Sequence, residues 1–308
     1  MPCAVRAAEA YPAAQIDRPL VLPAGKVELG LLGNLTNWSS VTQLFTTADP
    51  TTASVTGEAG VVGIEVGLGR VQLGAALALP LNPGFSYGSL FGSASIALSP
   101  ATALRLDFGV DRIGNSGDIS GFRPVRLNSD TSVHQYSFGV GMPFKVRLSP
   151  GVALVGGSVG AMTFAHFTHL GSNGSGTYLG AGLLMFDAAD NVVYSFAGTG
   201  DYSGFGSTRV LALNLPLGLL FQATSRLSVT LHAGYLALLD PSGSSARSAA
   251  HFLPVGIDVV FASPEQNVDL GASFSLAGPL QSTTYTPTGF VGGYFDLQMA
   301  TIWLRYRT

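Results

Sequence analysis

Between Leu104 and Asp111 large apolar residues and charged or small ones take strict turns. Leu104, Leu106, Phe108 and Val110 fall on one side, and Arg105, Asp107, Gly109 and Asp111 on the other. Alternation with a period of two marks an extended strand whose two faces meet different surroundings. The pattern recurs along the chain. Val71, Leu73, Ala75, Leu77, Leu79 and Leu81 oppose Gln72, Gly74, Ala76, Ala78 and Pro80. Tyr136, Phe138, Val140, Met142, Phe144, Val146 and Leu148 oppose Ser137, Pro143, Lys145 and Arg147. Val268, Leu270, Ala272, Phe274 and Leu276 oppose Asp269, Gly271, Ser273 and Ser275. A charged residue between large apolar neighbours cannot have an apolar medium on both sides of the strand, so one face is wet.

The other face need not meet water. Charged residues make up 11% of the chain, against roughly 25% in soluble domains. Yet every apolar stretch is broken within a few residues by Gly, Ser, Arg, Asp or Pro, well short of the roughly 20 residues a spanning helix needs. In lipid, backbone polar groups are satisfied only within helices or closed barrels, so a membrane chain without such helices is a barrel. A soluble β-sandwich or soluble barrel is the competing fold. The 40 glycines follow no collagen period; in strands they let the backbone curve and leave room in a narrow lumen. A net charge of -3 without a basic run excludes nucleic acid as a partner. Cys3 stands alone and no Cys/His grouping has ligand spacing, so no metal or cofactor is expected.

The connections sort into two classes. Tight ones are Gly67-Leu68-Gly69, Ser99-Pro100-Ala101, Ser149-Pro150-Gly151, Ala223-Thr224-Ser225 and Ser263-Pro264-Glu265; between them lie long polar segments such as 36–56 and 114–132. Short turns alternating with long loops are the periplasmic and extracellular ends of an up-and-down outer-membrane barrel. Met142-Pro143-Phe144, Leu215-Pro216-Leu217 and Leu253-Pro254-Val255 each begin an apolar descent into a tight turn. The first two are separated by twice the spacing of the last two. The period therefore predicts a further hairpin, Tyr178 to Phe186 and Val192 to Ala197, and about fourteen strands, or about twelve if that segment is a plug or lid. The three prolines are expected at bulges of matching height.

The domain reading is an N-terminal arm over residues 1–24 and a barrel over 25–308. Ala8 and Ala10 form an A-x-A-like cleavage site, as at the end of a secretory signal, so the arm is expected to be a signal remnant followed by a periplasmic segment. The charged start and apolar middle of such a signal are missing, which suggests that Met1 lies within a longer precursor.

The last strand, Ala300-Thr301-Ile302-Trp303-Leu304-Arg305-Tyr306-Arg307-Thr308, resembles the C-terminal signal of bacterial outer-membrane proteins, with Ala300, Ile302, Leu304 and Tyr306 at lipid-facing positions. Thr308 stands where those proteins usually end in Phe or Trp. The tight turns after Gly- and Leu-rich strands, as in Gly63 to Leu81, look like the transporters grouped with phenol-degradation outer-membrane proteins, and the size is similar to that of monomeric porins. The resemblance implies a bacterial outer-membrane location, membrane lipid and the barrel insertion machinery as partners, and a small-molecule solute.

The expected lumen charges are Lys26, Glu28, Glu65, Arg70, Arg105, Asp107, Asp111, Lys145, Arg147, Asp258, Asp269, Arg305 and Arg307. They either line a water-filled path that passes small solutes or form a static ion-pair network filling a structural or adhesive barrel. Both signs are present, so neither ion selectivity is favoured. The enzyme alternative is an acyl hydrolase. His169-Leu170-Gly171-Ser172-Asn173-Gly174 resembles the His-x-Ser-Asn-Gly segment of outer-membrane phospholipases, but His169 and Ser172 are three apart and fall on opposite faces of a regular strand.

Overall fold

The computed structural model describes residues 11–41, 53–80, 86–114, 133–167, 177–186, 192–201, 207–239, 249–263, 265, 267–279 and 297–308. It is all-β apart from one short 3-10 turn, Gln15–Asp17. The strands are β1 (Val27–Val41), β2 (Ala53–Gly67), β3 (Val71–Pro80), β4 (Ser86–Ser99), β5 (Thr102–Gly114), β6 (Val133–Ser149), β7 (Val152–Phe167), β8 (Thr177–Phe186), β9 (Val192–Asp201), β10 (Ser207–Gln222), β11 (Leu227–Leu239), β12 (Ala249–Ala262), β13 (Val268–Pro279) and β14 (Leu297–Arg307). Twelve of them close an antiparallel barrel, with β14 pairing β1 from Arg307 opposite Glu28 to Leu297 opposite Trp38.

Period-two alternation sets the two faces of the wall. Leu31, Val62, Leu90, Phe138, Leu217, Leu270 and Ile302 point outward and are more than half exposed. Inward positions hold buried polar side chains, among them Glu28, Gln72, Ser228, Thr230, Asp258, Asp269, Arg305 and Arg307. The arrangement inverts that of a soluble domain, and it fits a wall with lipid outside.

The count of fourteen barrel strands is corrected to the alternative of twelve. The hairpin expected near Gly180 forms as β8 and β9, but these strands pair only with each other. β7 has β6 on one edge and β10 on the other, so no free ladder remains between them for an inserted hairpin.

The five expected tight turns join β2–β3, β4–β5, β6–β7, β10–β11 and β12–β13, all at one end of the barrel. Gly69 takes φ 90° in the first, a conformation that costs glycine little. The Thr224 Oγ1 accepts from the N–H groups of Arg226 and Leu227 in the fourth. At the same end the Thr308 N–H donates to the Val27 carbonyl, tying the two ends of the barrel together.

Pro143, Pro216 and Pro254 are buried, face the lumen and stand in one row with Gly157 and Gly234. Each marks an interruption of the ladder: β5–β6 pairing skips from Gly141 to Phe144, β10–β7 from Leu213 to Leu217, and β11–β12 from Phe252 to Val255. A register shift accompanies the first, between β6 and β7; the other two leave the register unchanged. Proline has no N–H to give the ladder. The missing Cβ of the neighbouring glycine leaves space at the first of them, since one added at Gly157 would lie 2.8 Å from the Pro143 Cα and 3.2 Å from its Cβ.

Glycine has a second use in the wall. Trp303 is paired with Gly271, His232 with Gly256 and Phe144 with Gly156. A Cβ at Gly256 would lie 2.5 Å from the imidazole, one at Gly156 2.6 Å from the phenyl ring, and one at Gly271 would collide with the indole. Each ring therefore packs against the glycine opposite, in the space a Cβ would take. Gly271→Ala is expected to cost about 1–3 kcal/mol by overpacking against the indole. Because Trp303→Ala removes the clash, the double variant should lose less than the sum of the two single losses. Urea unfolding of the refolded protein in vesicles measures the cycle, and strict additivity would contradict the stacking.

Candidate functional site

Residues 11–26 enter the turn end of the barrel from inside. Pro12, Pro19 and Pro23 hold the segment extended, apart from the single turn closed by the Asp17 N–H to the Ala14 carbonyl and the Arg18 N–H to the Gln15 carbonyl. Tyr11, Gln15, Ile16, Arg18, Val21 and Leu22 are buried, which an arm lying outside the barrel would not achieve. At Gly67 a Cβ would collide with the carbonyls of Leu22 and Pro23, so glycine there lets the arm pass close to the wall.

Wall side chains from much of the circumference hold this arm. The Ile16 N–H donates to Gln222 Oε1 at 3.2 Å and the Leu22 N–H to Gln72 Oε1 at 2.7 Å. Lys145 Nζ donates to the carbonyls of Gln15 at 3.0 Å and Arg18 at 2.5 Å. The Ser228 hydroxyl donates to Gln15 Oε1. The Ile16 side chain sits in an apolar socket of Ala153, Val155 and Leu220.

At the centre is a shared carboxylate. Asp269 accepts from Arg18 Nη1 at 2.5 Å and Nη2 at 2.8 Å, and from Arg307 Nη1 at 2.6 Å. Arg307 Nε also pairs with Glu28 Oε2 at 2.5 Å, and Glu28 Oε1 lies 3.4 Å from Arg305 Nε. The Tyr11 ring meets the guanidiniums of Arg18 at 5.5 Å and Arg307 at 4.8 Å from its centroid, adding cation–π attraction in a buried setting.

Above the arm the interior is layered by register. One row runs Glu28, Glu65, Gly74, Ser93, Asp107. The next runs Arg305, Gly30, Gly63, Ala76, Phe91. A third runs Trp303, Leu32, Val61, Ala78. The small residues of the middle row open a cavity of about 810 Å³, including space continuous with solvent. Arg105 Nε meets Asp107 Oδ1 at 2.9 Å on its floor, and Gln72 Nε2 donates to Glu65 Oε2 at 2.7 Å. On the opposite wall Thr230, Asp258, Ser273 and Thr301 form a buried polar row, with His232 Nε2 at 3.4 Å from Asp258 Oδ1.

Of the charges expected in the lumen, Glu28, Glu65, Arg105, Asp107, Lys145, Asp258, Asp269, Arg305 and Arg307 occupy inward positions of the wall. Lys26 is half-buried in the turn that leads into β1. Arg70 and Arg147 are at the exposed rim of the turn end. Arg70 donates to the carbonyls of Ala97 and Leu98, and Arg147 pairs with Asp17. The Asp111 side chain, and all of His169 and Ser172, lie outside the described residues. Arg18, Tyr11 and the neutral wall residues Gln72, Gln222 and Ser228 were not expected at the site. The inward parity of Gln72, and of Trp303 between the outward Ile302 and Leu304, was already a sufficient signal for those two.

No family model and no curated protein matches the chain. Among solved structures, the β domain of the Bordetella autotransporter BrkA is 11% identical with a TM-score of 0.51, over 92% of this chain and 100% of that one. The translocator domain of autotransporter NalP from Neisseria meningitidis is 13% identical with a TM-score of 0.49, over 91% and 87%. An outer-membrane channel from Pseudomonas putida F1 is 10% identical with a TM-score of 0.47, over 94% and 97%. The twelve-stranded closure and the likeness to the first of these give the chain the fold of a bacterial outer-membrane β-barrel.

Proposed function

We propose that the chain is an outer-membrane channel for small solutes, with its turn end facing the periplasm and closed there by its own N-terminal arm. One observation carries the reading: the mouth is occupied by a single continuous segment held through side-chain bonds, while a cavity continuous with solvent lies above it, with charged and polar groups in its lining. A segment held in this way can leave without unfolding the wall. The outer face meets membrane lipid, and β14 serves recognition by the insertion machinery. The reading assigns no catalysis. An acyl hydrolase would release fatty acid from phospholipid and lose that activity in a Ser172→Ala variant.

A second reading, a structural or adhesive barrel, is favoured by the burial of the same ion pairs, with Arg18 and Asp269 side chains 6% and 1% exposed. Planar-bilayer recording separates the two. Removing one partner of a buried pair costs about 3–5 kcal/mol. Because Asp269 keeps Arg307 in Arg18→Ala, less than this is lost, and the open fraction should rise by up to about a hundredfold, at a tenfold change per 1.4 kcal/mol. Silence of both the parent and Arg18→Ala would favour the structural barrel.

The same pairs make a stability prediction. Asp269→Asn leaves both Arg18 and Arg307 without their carboxylate, whereas Arg18→Ala leaves Asp269 still paired with Arg307. Asp269→Asn should therefore lower the urea midpoint further than Arg18→Ala, while both expose the arm to thermolysin cleavage at Gln15–Ile16 or Leu20–Val21. An arm equally protected in parent and variants would contradict its attachment through Asp269.

A further inference from the structure

The cavity above the arm has a polar floor and an apolar roof, and both are built from directly paired residues. On the floor stand the carboxylates of Glu28, Glu65 and Asp107, with the guanidiniums of Arg105 and Arg305 paired to Asp107 and Glu28. The roof is formed by Leu32, Val61 and Trp303, with Phe91 at its side; Val61 belongs to an apolar cluster with Ala78 and Met299. Between floor and roof the wall thins to Gly30, Gly63 and Ala76. A Cβ added at Gly30 would meet nothing within 4 Å, so the space there is real and not filled by a neighbouring side chain. A concave, mostly apolar lining with a few converging polar groups is the usual form of a small-molecule site.

We propose that this cavity binds an amphipathic small molecule with an apolar body and a net-neutral head that both donates and accepts hydrogen bonds, the zwitterionic head of an α-amino acid being the simplest case. The body packs under Leu32, Val61 and Trp303. The head meets the floor, where Arg105 stands beside Asp107 and Arg305 beside Glu28, while Glu65 accepts from the neutral Gln72. A lone anion there would face three carboxylates, and a lone cation would face two guanidiniums. A head carrying both signs sets its cation against Glu65 and Asp107 and its anion against Arg105 and Arg305. Such charge-assisted contacts are the stronger class of hydrogen bond. The proposal rests on the channel reading only for the solute's passage; binding does not require the arm to leave.

The test uses the refolded full chain. Trp38 and Trp303 are its two tryptophans, so a Trp38→Phe background leaves Trp303 as the reporter in the cavity. The probes are para-nitro-L-phenylalanine, para-nitrophenylacetate, para-nitrophenethylamine and para-nitrotoluene, which share a quenching ring and differ in the head. Each is titrated against the background protein and against the same protein carrying Gly30→Leu, which fills the cavity and reports quenching from detergent partitioning alone. The expected result is saturable quenching by para-nitro-L-phenylalanine that Gly30→Leu abolishes, with the two singly charged probes weaker by about tenfold or more. Gly30→Ala should weaken it by an intermediate amount, and serves if Gly30→Leu does not refold. Equal, unsaturable quenching in all proteins, or tighter binding of either singly charged probe, overturns the proposal. Saturable quenching in a protein that never conducts keeps the site and sinks the channel reading; conductance without saturable quenching does the reverse.

Discussion

A strand edge left open in hydrocarbon strands a row of N–H and C=O groups with no water to bond, each costing several kcal/mol. The pairing of β14 with β1 removes that edge, and much else follows from it. Because the sheet is closed, one face of every strand is committed to the outside and the other to a shared interior. The alternation that places Leu31 outward therefore also places Glu28, Gly30 and Leu32 inward, where they meet Arg305 and Trp303 of the last strand. The lumen site is thus assembled across the seam between the beginning and the end of the chain. It could not form in an open sheet.

Closure also concentrates charge. Arg307 lies between Glu28 of β1 and Asp269 of β13, so the seam strand carries a guanidinium shared by two carboxylates. Asp269 takes one bond from Arg307 and then has capacity for a bidentate partner, which Arg18 supplies from the arm. A buried carboxylate with two guanidiniums and a guanidinium with two carboxylates form a chain of alternating sign, and alternation is what makes such burial tolerable. The arm completes the chain. Its docking therefore depends on the seam.

The wall was legible in the sequence because its signals are local. Alternation gave the faces of β3, β5, β6, β13 and β14, and the Pro, Gly and Ser clusters gave the tight turns. The hairpin of β8 and β9 was also found, but its place was not, since whether it enters the wall depends on β7 and β10 pairing across the interval between them. Arg70 and Arg147 had the right parity, but parity carries no height, and both stand at the rim. The arm was the least legible part. A short segment punctuated by Pro12, Pro19 and Pro23 has no periodicity, and the residues that hold it, such as Gln72, Ser228 and Gln222, are neutral groups that a search for charges passes over.

Twelve strands set a problem of size that the sequence solves in three ways. Eight strands make an interior that side chains can fill, and sixteen or more leave an aqueous channel. At twelve, wall side chains alone neither fill the lumen nor leave it freely open. At the turn end the arm supplies the missing volume. On the inner wall, Gly256 and Gly271 seat the rings of His232 and Trp303 close against the wall, which keeps large side chains from reaching as far across the lumen. In the row of Gly30, Gly63 and Ala76 the volume is withheld, and the cavity opens there. The glycines that make this chain unusual in composition thus do two opposite things, seating rings in some rows and leaving space in another, and the difference lies in whether the paired side chain turns over the glycine, as Trp303 does over Gly271, or away from it, as Arg305 does from Gly30.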